Sequence, residues 1–211
     1  MPRETFFNLP VDKRNLIISV ATHEFSKNDY KNASINHICK SAAIPKGSFY
    51  QYFSDKLDLY VYIMTLAIEE KVRFFSDVIS EANNMTLYDQ IRLLFAKGME
   101  FAKKHPLYAA LGEQFSKESD ETAKSAVMKA GNEQAETFLM QMICNAKEKG
   151  EIDSNVDSLA LCILLQSINS AVNQYMCQKF GNDYTKYNEK EFYNFADSLL
   201  KMVFDGVLNQ K

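Results

Sequence analysis

The chain has no tryptophan, and its 211 residues include only seven glycines and four prolines. Gly and Pro cut chains into short strands and tight turns. Their scarcity excludes a strand-rich sandwich or barrel and points to long helices. The four cysteines, Cys39, Cys144, Cys162 and Cys177, make no Cys-x-x-Cys pair. Dithiol and zinc spacings are thereby excluded, and the thiols read as buried groups of a reducing compartment. The three histidines, His23, His37 and His105, fall in no His-Glu-x-x-His or Glu-x-x-His arrangement, so no metal centre is expected. There is no glycine-rich phosphate loop and no Gly-x-Ser-x-Gly elbow, and neither an enzyme nor a cofactor is expected. The longest purely apolar run, Leu159 to Leu165, falls far short of the roughly 20 residues of a membrane span, and no apolar signal segment opens the chain. No membrane partner is expected, and the expected location is the cytoplasm.

What is present is a core. Apolar residues make up 46% of the chain, and Phe (15) and Tyr (11) are plentiful, which argues against disorder. The net charge of −3 is unevenly spread: residues 1–56 carry +3 and residues 57–211 carry −6. A mildly basic head on an acidic body suits contact with a polyanion at one end only.

The apolar spacing predicts an all-α chain of about nine helices after a short tail, residues 1–10. The first runs over 11–27, where Leu16, Ile17, Val20, Ala21 and Phe25 share a face. The second starts near Ser34, whose hydroxyl can cap it, and holds Ile35, Ile38, Cys39 and Ala42 inward. A turn at Ala43-Ile44 follows, and Pro45 opens the third, packed by Phe49 and Phe53. The fourth, capped by Ser54, runs long over 55–82 with a stripe at Leu57, Val61, Met64, Ile68, Val72 and Phe75. No Gly- or Pro-rich linker separates it from the head, so head and body are expected to be mechanically coupled. Thr86 with Asp89 resembles a capping box for a fifth over 87–104. The sixth spans 106–117, and the seventh runs from Ser119 or Asp120 to 149, with Gly131 a candidate bend. The eighth spans 157–180 and the ninth 189–208; Gly150 and Gly181 are expected helix stops.

The last two expected helices are apolar on more than one side. The ninth has one stripe at Phe192, Phe195, Leu199, Met202 and Val203 and a second at Leu200, Phe204, Val207 and Leu208. Two apolar faces need two partners: the chain's own core and either a second copy or a wider core of the same chain. A homodimer through the eighth and ninth helices is the simpler expectation.

The residues from Ile35 to Leu59 carry a resemblance. They are similar to the DNA-binding signature of the tetracycline-repressor (TetR/AcrR) family of transcriptional regulators. Ile35 and Ile38 match its apolar pair, Ala42-Ala43-Ile44 stands for its turn, and Gly47, Tyr50, Phe53, Lys56 and Leu59 fall at matching positions. The specific likeness spans about residues 11–60. Two positions depart from it. Ala43 stands where the family usually has Gly; a positive φ there would cost about 1–2 kcal/mol. Pro45 replaces the usual Ser. The resemblance implies an N-terminal three-helix helix-turn-helix domain over 1–54 and a helical ligand-binding and dimerisation domain over 55–211. Its partners would be a double-stranded DNA operator, a small, mainly apolar effector and a second copy of the chain.

In a helix-turn-helix the second helix of the motif enters the major groove. Lys46, Ser48 and Gln51 are candidates for base edges or phosphates, and Gly47 lets the backbone come close. Tyr50 and Tyr52 combine a packing ring with a phosphate-bonding hydroxyl; each taken alone also reads as a packing tyrosine. Lys56 and Ser34, at helix starts, are expected at phosphates. For the effector, the resemblance implies an apolar pocket in the body. Amides and other side chains on otherwise apolar helices are its candidates: Phe95, Met99, Tyr108, Gln114, Gln166, Asn169 and Asn173. Interhelical or dimer-interface bonding remains the alternative for any one of them. The expected function is a repressor released from a palindromic operator by its effector. The rivals are the same head with a body answering to a protein partner or to nothing, and a helical interaction module or enzyme that does not bind DNA.

Overall fold

The computed structural model describes residues 1–81, 85–181 and 183–207, and within these the side chains other than 77–81, 131–137, 185, 206 and 207. Ten α-helices account for about four-fifths of them, and no β-strand occurs among the described residues. They are α1 (Glu4–Phe7), α2 (Val11–Lys27), α3 (Ile35–Ser41), α4 (Lys46–Tyr52), α5 (Lys56–Glu81), α6 (Leu87–Lys104), α7 (Pro106–Ser116), α8 (Glu121–Glu148), α9 (Ser158–Phe180) and α10 (Glu189–Val207). A 3-10 turn lies at Tyr184–Lys186. Expected ends at Ala82 and Leu208 lie outside the described residues.

The helices pack as two compact units. One comprises Met1–Val72 with His105–Asn132, the other Arg73–Lys104 with Glu133–Lys211. The division at residue 54 therefore follows the motif rather than the packing. The first part of α5, all of α7 and the start of α8 belong to the same unit as the helix-turn-helix.

The first unit is built on aromatic and aliphatic side chains at helical spacing. Ile17, Ala21 and Phe25 from α2, Ile38 from α3, Phe49 from α4 and Leu59 and Ile63 from α5 are all essentially inaccessible, together with Phe53. Leu111 of α7 and Ala123 and Val127 of α8 complete this core, and α7 lies along α2. The expected tail is a correction. It folds as α1, because Phe6 is fully buried against Phe53 (ring centroids 4.9 Å apart) and Tyr62 (5.6 Å). An aromatic ring gives roughly 2–3 kcal/mol on burial, enough to order a single turn.

Caps mark the helix starts. Ser34 caps α3 as expected, its Oγ accepting the His37 N–H. Asp55, not Ser54, caps α5: its carboxylate accepts the Asp58 N–H at 2.8 Å, and the Asp58 carboxylate accepts the Ser54 N–H. Pro45 stands one place before α4 rather than inside it. The Thr86–Asp89 box forms at α6, and Asp120 and Asp157 cap α8 and α9. Gly131 does not interrupt α8. Gly150 and Gly181 both have φ of 72°, the left-handed geometry that stops a helix and favours glycine.

In the second unit, the buried side of α9 is Leu161, Leu165, Ile168, Val172 and Met176. It meets Phe192, Ala196, Leu200 and Phe204 of α10, which also packs on α6. Tyr175 stacks on Phe195 at 4.0 Å. The other side of α9 leaves Leu159, Ile163 and Leu164 exposed, and α10 leaves Met202 exposed.

Ala43 adopts φ of 49°, so the residue that replaces the turn glycine is held in a left-handed conformation. Lys13 of α2 fixes this turn by donating to the Ala42 and Ala43 carbonyls at 2.8 and 3.0 Å. Relief of the Cβ clash in Ala43→Gly should stabilise the protein by about 1 kcal/mol and raise its melting temperature by roughly 2–4 °C, measured by calorimetry.

Candidate nucleic-acid interface

Helix α4 has seven residues and two faces. Phe49 turns inward and is fully buried. Lys46, Gly47, Tyr50 and Gln51 are exposed and Ser48 is half-buried, and with Tyr52 six of the expected contacts share this one short helix. The Tyr50 ring meets Phe49 edge-on at 5.2 Å while 44% of the residue stays exposed, so the ring is braced and the surface open.

Gly47 is informative because nothing inside the protein requires it. A Cβ placed there would meet no atom within 4 Å, and the residue is an ordinary helical one. Glycine within a helix costs roughly 0.5–1 kcal/mol relative to alanine. The chain carries that cost on an exposed helix whose neighbours are Lys, Ser, Tyr and Gln.

Three expected residues are engaged inside the unit: Tyr52 at the end of α4, and Lys56 and Ser34 on other segments. Tyr52 is half-buried, its ring 6.2 Å from Phe6, and belongs to the aromatic cluster rather than to the exposed face. The Lys56 ammonium donates to the Lys31 and Ala33 carbonyls, both at 3.1 Å, and lies 4.7 Å from the centre of the Tyr30 ring. Two of its three protons therefore hold the loop between α2 and α3, a role that spacing alone does not reveal. Ser34 is spent on its cap through Oγ, and its backbone N–H donates to Glu24 at 2.9 Å.

Two buried carboxylates, missed in the sequence, position the motif. Glu24 takes the Ser34 N–H on one oxygen, and its other oxygen meets His37 Nδ1 at 2.5 Å. Glu118 accepts the Tyr30 N–H at 2.8 Å on one oxygen and the Ser119 and Asp120 N–H groups, both at 2.9 Å, on the other. Burying a carboxylate is costly unless its lone pairs are met, and here backbone N–H groups meet them. Among the described residues no buried side-chain polar atom lacks a partner. Burial, with the charges of Asp55, Asp120 and Glu118, pushes the Tyr30 hydroxyl above its ordinary range, and burial does the same to Tyr60 and Tyr62. Burial likewise raises the Cys39 thiol, with Lys46 pulling the other way, so the thiol beside this helix stays protonated at neutral pH.

The seven effector candidates fall in both units. Phe95 and Met99 are buried on α6 in the second unit. Gln166, Asn169 and Asn173 are exposed, flanking the buried side of α9 rather than lying within it. Tyr108 and Gln114 belong to the first unit; Tyr108 stacks on His105 and Gln114 donates to the Lys27 carbonyl at 3.3 Å. In the second unit an open groove of about 390 Å³ is lined by Met85, Asp89, Arg92, Leu93, Ala96 and Tyr193. Arg92 is held there by Asp197 through two bonds of 2.8 and 3.1 Å, which raises its already high pKa further. No helix among the described residues is long and apolar enough to cross a membrane, and no group of three or more His, Cys, Asp or Glu among them could hold a metal ion.

Comparison with known proteins agrees with this geometry. Residues 17–63 match the model of bacterial regulatory proteins of the tetR family. An uncharacterized HTH-type transcriptional regulator of Bacillus subtilis (strain 168), YhgD, is 28% identical over 100 residues, which cover 47% of this chain and 51% of that protein. The match thus spans about half the length of that relative. A TetR family transcriptional regulator from Chloroflexus aurantiacus J-10-FL superposes over all of both chains with a TM-score of 0.77 at 25% identity. The transcriptional regulator FadR from Bacillus subtilis, solved with stearoyl-CoA, shares the fold over 92% of this chain and 98% of its own, with a TM-score of 0.72 at 16% identity. The head from Ile17 to Ile63 thus matches the tetR-family helix-turn-helix model, and the chain as a whole has the fold of a solved TetR-family regulator.

Proposed function

We propose that this chain is a homodimeric, DNA-binding transcriptional regulator, a repressor whose operator affinity falls when a small, mainly apolar molecule binds its second unit. The observation that carries the reading is Gly47. A helix glycine with no internal reason, on an exposed face bearing Lys46, Tyr50 and Gln51, fits close approach of the backbone to a major groove. The exposed apolar side of α9 supports a second copy: Leu159 is 51% and Ile163 54% exposed, unusual for two large aliphatic residues four apart on one helix. Two heads would meet half-sites about 34–36 Å apart on a roughly palindromic duplex. The exposed amides Gln166, Asn169 and Asn173 then fit the dimer face better than a pocket. Buried Phe95 and Met99 and the groove beside Arg92 make α6 the better effector-facing helix. An acyl-CoA is bound by one protein of this fold, which suits an apolar effector here. The effector shifts the equilibrium only by its differential affinity for the two head spacings.

Selection from a random duplex pool, followed by mobility-shift titration, tests the reading. A salt-sensitive, sequence-preferring shift is expected, and its absence would leave the helical interaction module as the better account. Gly47→Ala should raise the melting temperature while weakening binding to the selected duplex at least tenfold. Lys46→Ala should flatten the dependence of log affinity on log salt by about one phosphate contact. Lys56→Met should leave that slope unchanged and instead destabilise the fold by roughly 1–3 kcal/mol, measured by denaturant titration. Ile163→Asp should give a folded monomer in analytical ultracentrifugation that no longer shifts the duplex at concentrations where the unaltered chain does.

A further inference from the structure

The bonds between α1 and α4 carry a consequence for how the recognition face is aimed. A helix leaves its last four carbonyls without intrahelical partners, and in a two-turn helix those make up much of the backbone. The Phe49 carbonyl accepts the Phe53 N–H at 2.9 Å. Those of Gln51 and Tyr52 are also met, the first by α1 and the second by Arg3 at its N-cap. The Tyr52 carbonyl accepts the Arg3 N–H at 2.8 Å, and the Gln51 carbonyl accepts the Thr5 hydroxyl. The short helix α1 is itself anchored elsewhere. Phe6 is fully buried against Phe53 and Tyr62, and the Arg14 guanidinium of α2 donates to the Phe7 carbonyl at 2.9 Å. The C-terminal end of α4 is thus fixed by a segment that lies outside the three-helix motif.

We propose that α1 is a strap that sets the pitch of α4, and that Thr5 is a positioning residue for sequence recognition. This rests on the reading of α4 as the helix that meets DNA. Thr5 is exposed and contributes nothing to the buried core, so its bond to the Gln51 carbonyl acts on orientation. Gln51 and Tyr50 are the last two exposed residues of the recognition face. A small rotation of their backbone moves their side-chain tips most, which degrades base-edge contacts before phosphate contacts.

The test compares Thr5→Val, Thr5→Ser and the unaltered chain on two duplexes, the one the unaltered chain selects from a random pool and a scrambled version of it. Thr5→Val should reduce the preference for the selected duplex roughly two- to fivefold, the order of one net hydrogen bond. It should do so with a melting temperature lowered by no more than roughly 2–4 °C and with unchanged affinity for the scrambled duplex. Thr5→Ser should restore the preference. Wild-type preference in Thr5→Val, or an equal loss on both duplexes, overturns the strap while leaving the proposed function standing. An unaltered chain that selects no duplex overturns the proposed function, and the strap with it.

Discussion

A helix of seven residues is not stable in water by itself, since nucleation is unfavourable and two turns repay little of it. Helix α4 has that length, yet it carries the face on which the proposed function depends. The first unit is best understood as the set of contacts that hold it. Phe49 anchors it from within, Phe53 closes it, and α1 meets its last carbonyls. The turn before it is kept in a left-handed conformation that alanine does not favour, and Lys13 ties down the two carbonyls exposed there. Each contact is worth on the order of 1 kcal/mol, and together they replace the length the helix lacks.

Charge is used inside the first unit more than composition suggests. Glu24, Glu118 and Lys56 are surface residue types, yet all three bond to backbone groups of the loop and cap that precede α3. Glu118 brings the start of α8 to the Tyr30 N–H, so a segment distant in sequence fixes the loop before the motif. Removing either carboxylate would leave part-buried backbone N–H groups without their acceptors, which costs more than the bond itself contributes.

Local rules made much of this legible. The ranges of α2 and α6, the Ser34 cap, the Thr86–Asp89 box and the stops at Gly150 and Gly181 all follow from neighbours within a few residues. Contacts that depend on packing distant segments were not legible. Nothing near Lys56 in sequence shows that it reaches Lys31 and Ala33, and nothing near Phe6 shows that it seats on Phe53. The exposure of Asn169 and Asn173 was not legible for a related reason. Their spacing puts them on one side of α9, but only packing decides that this side faces outward.

The central claim is that two copies of the α4 face read one duplex. Hydroxyl-radical footprinting of the selected duplex tests it most directly. Two symmetric clusters of protected sugars are expected on one side of the helix, with centres about 34–36 Å apart. A single unbroken block of protection, or protection spread evenly along the duplex, would contradict it.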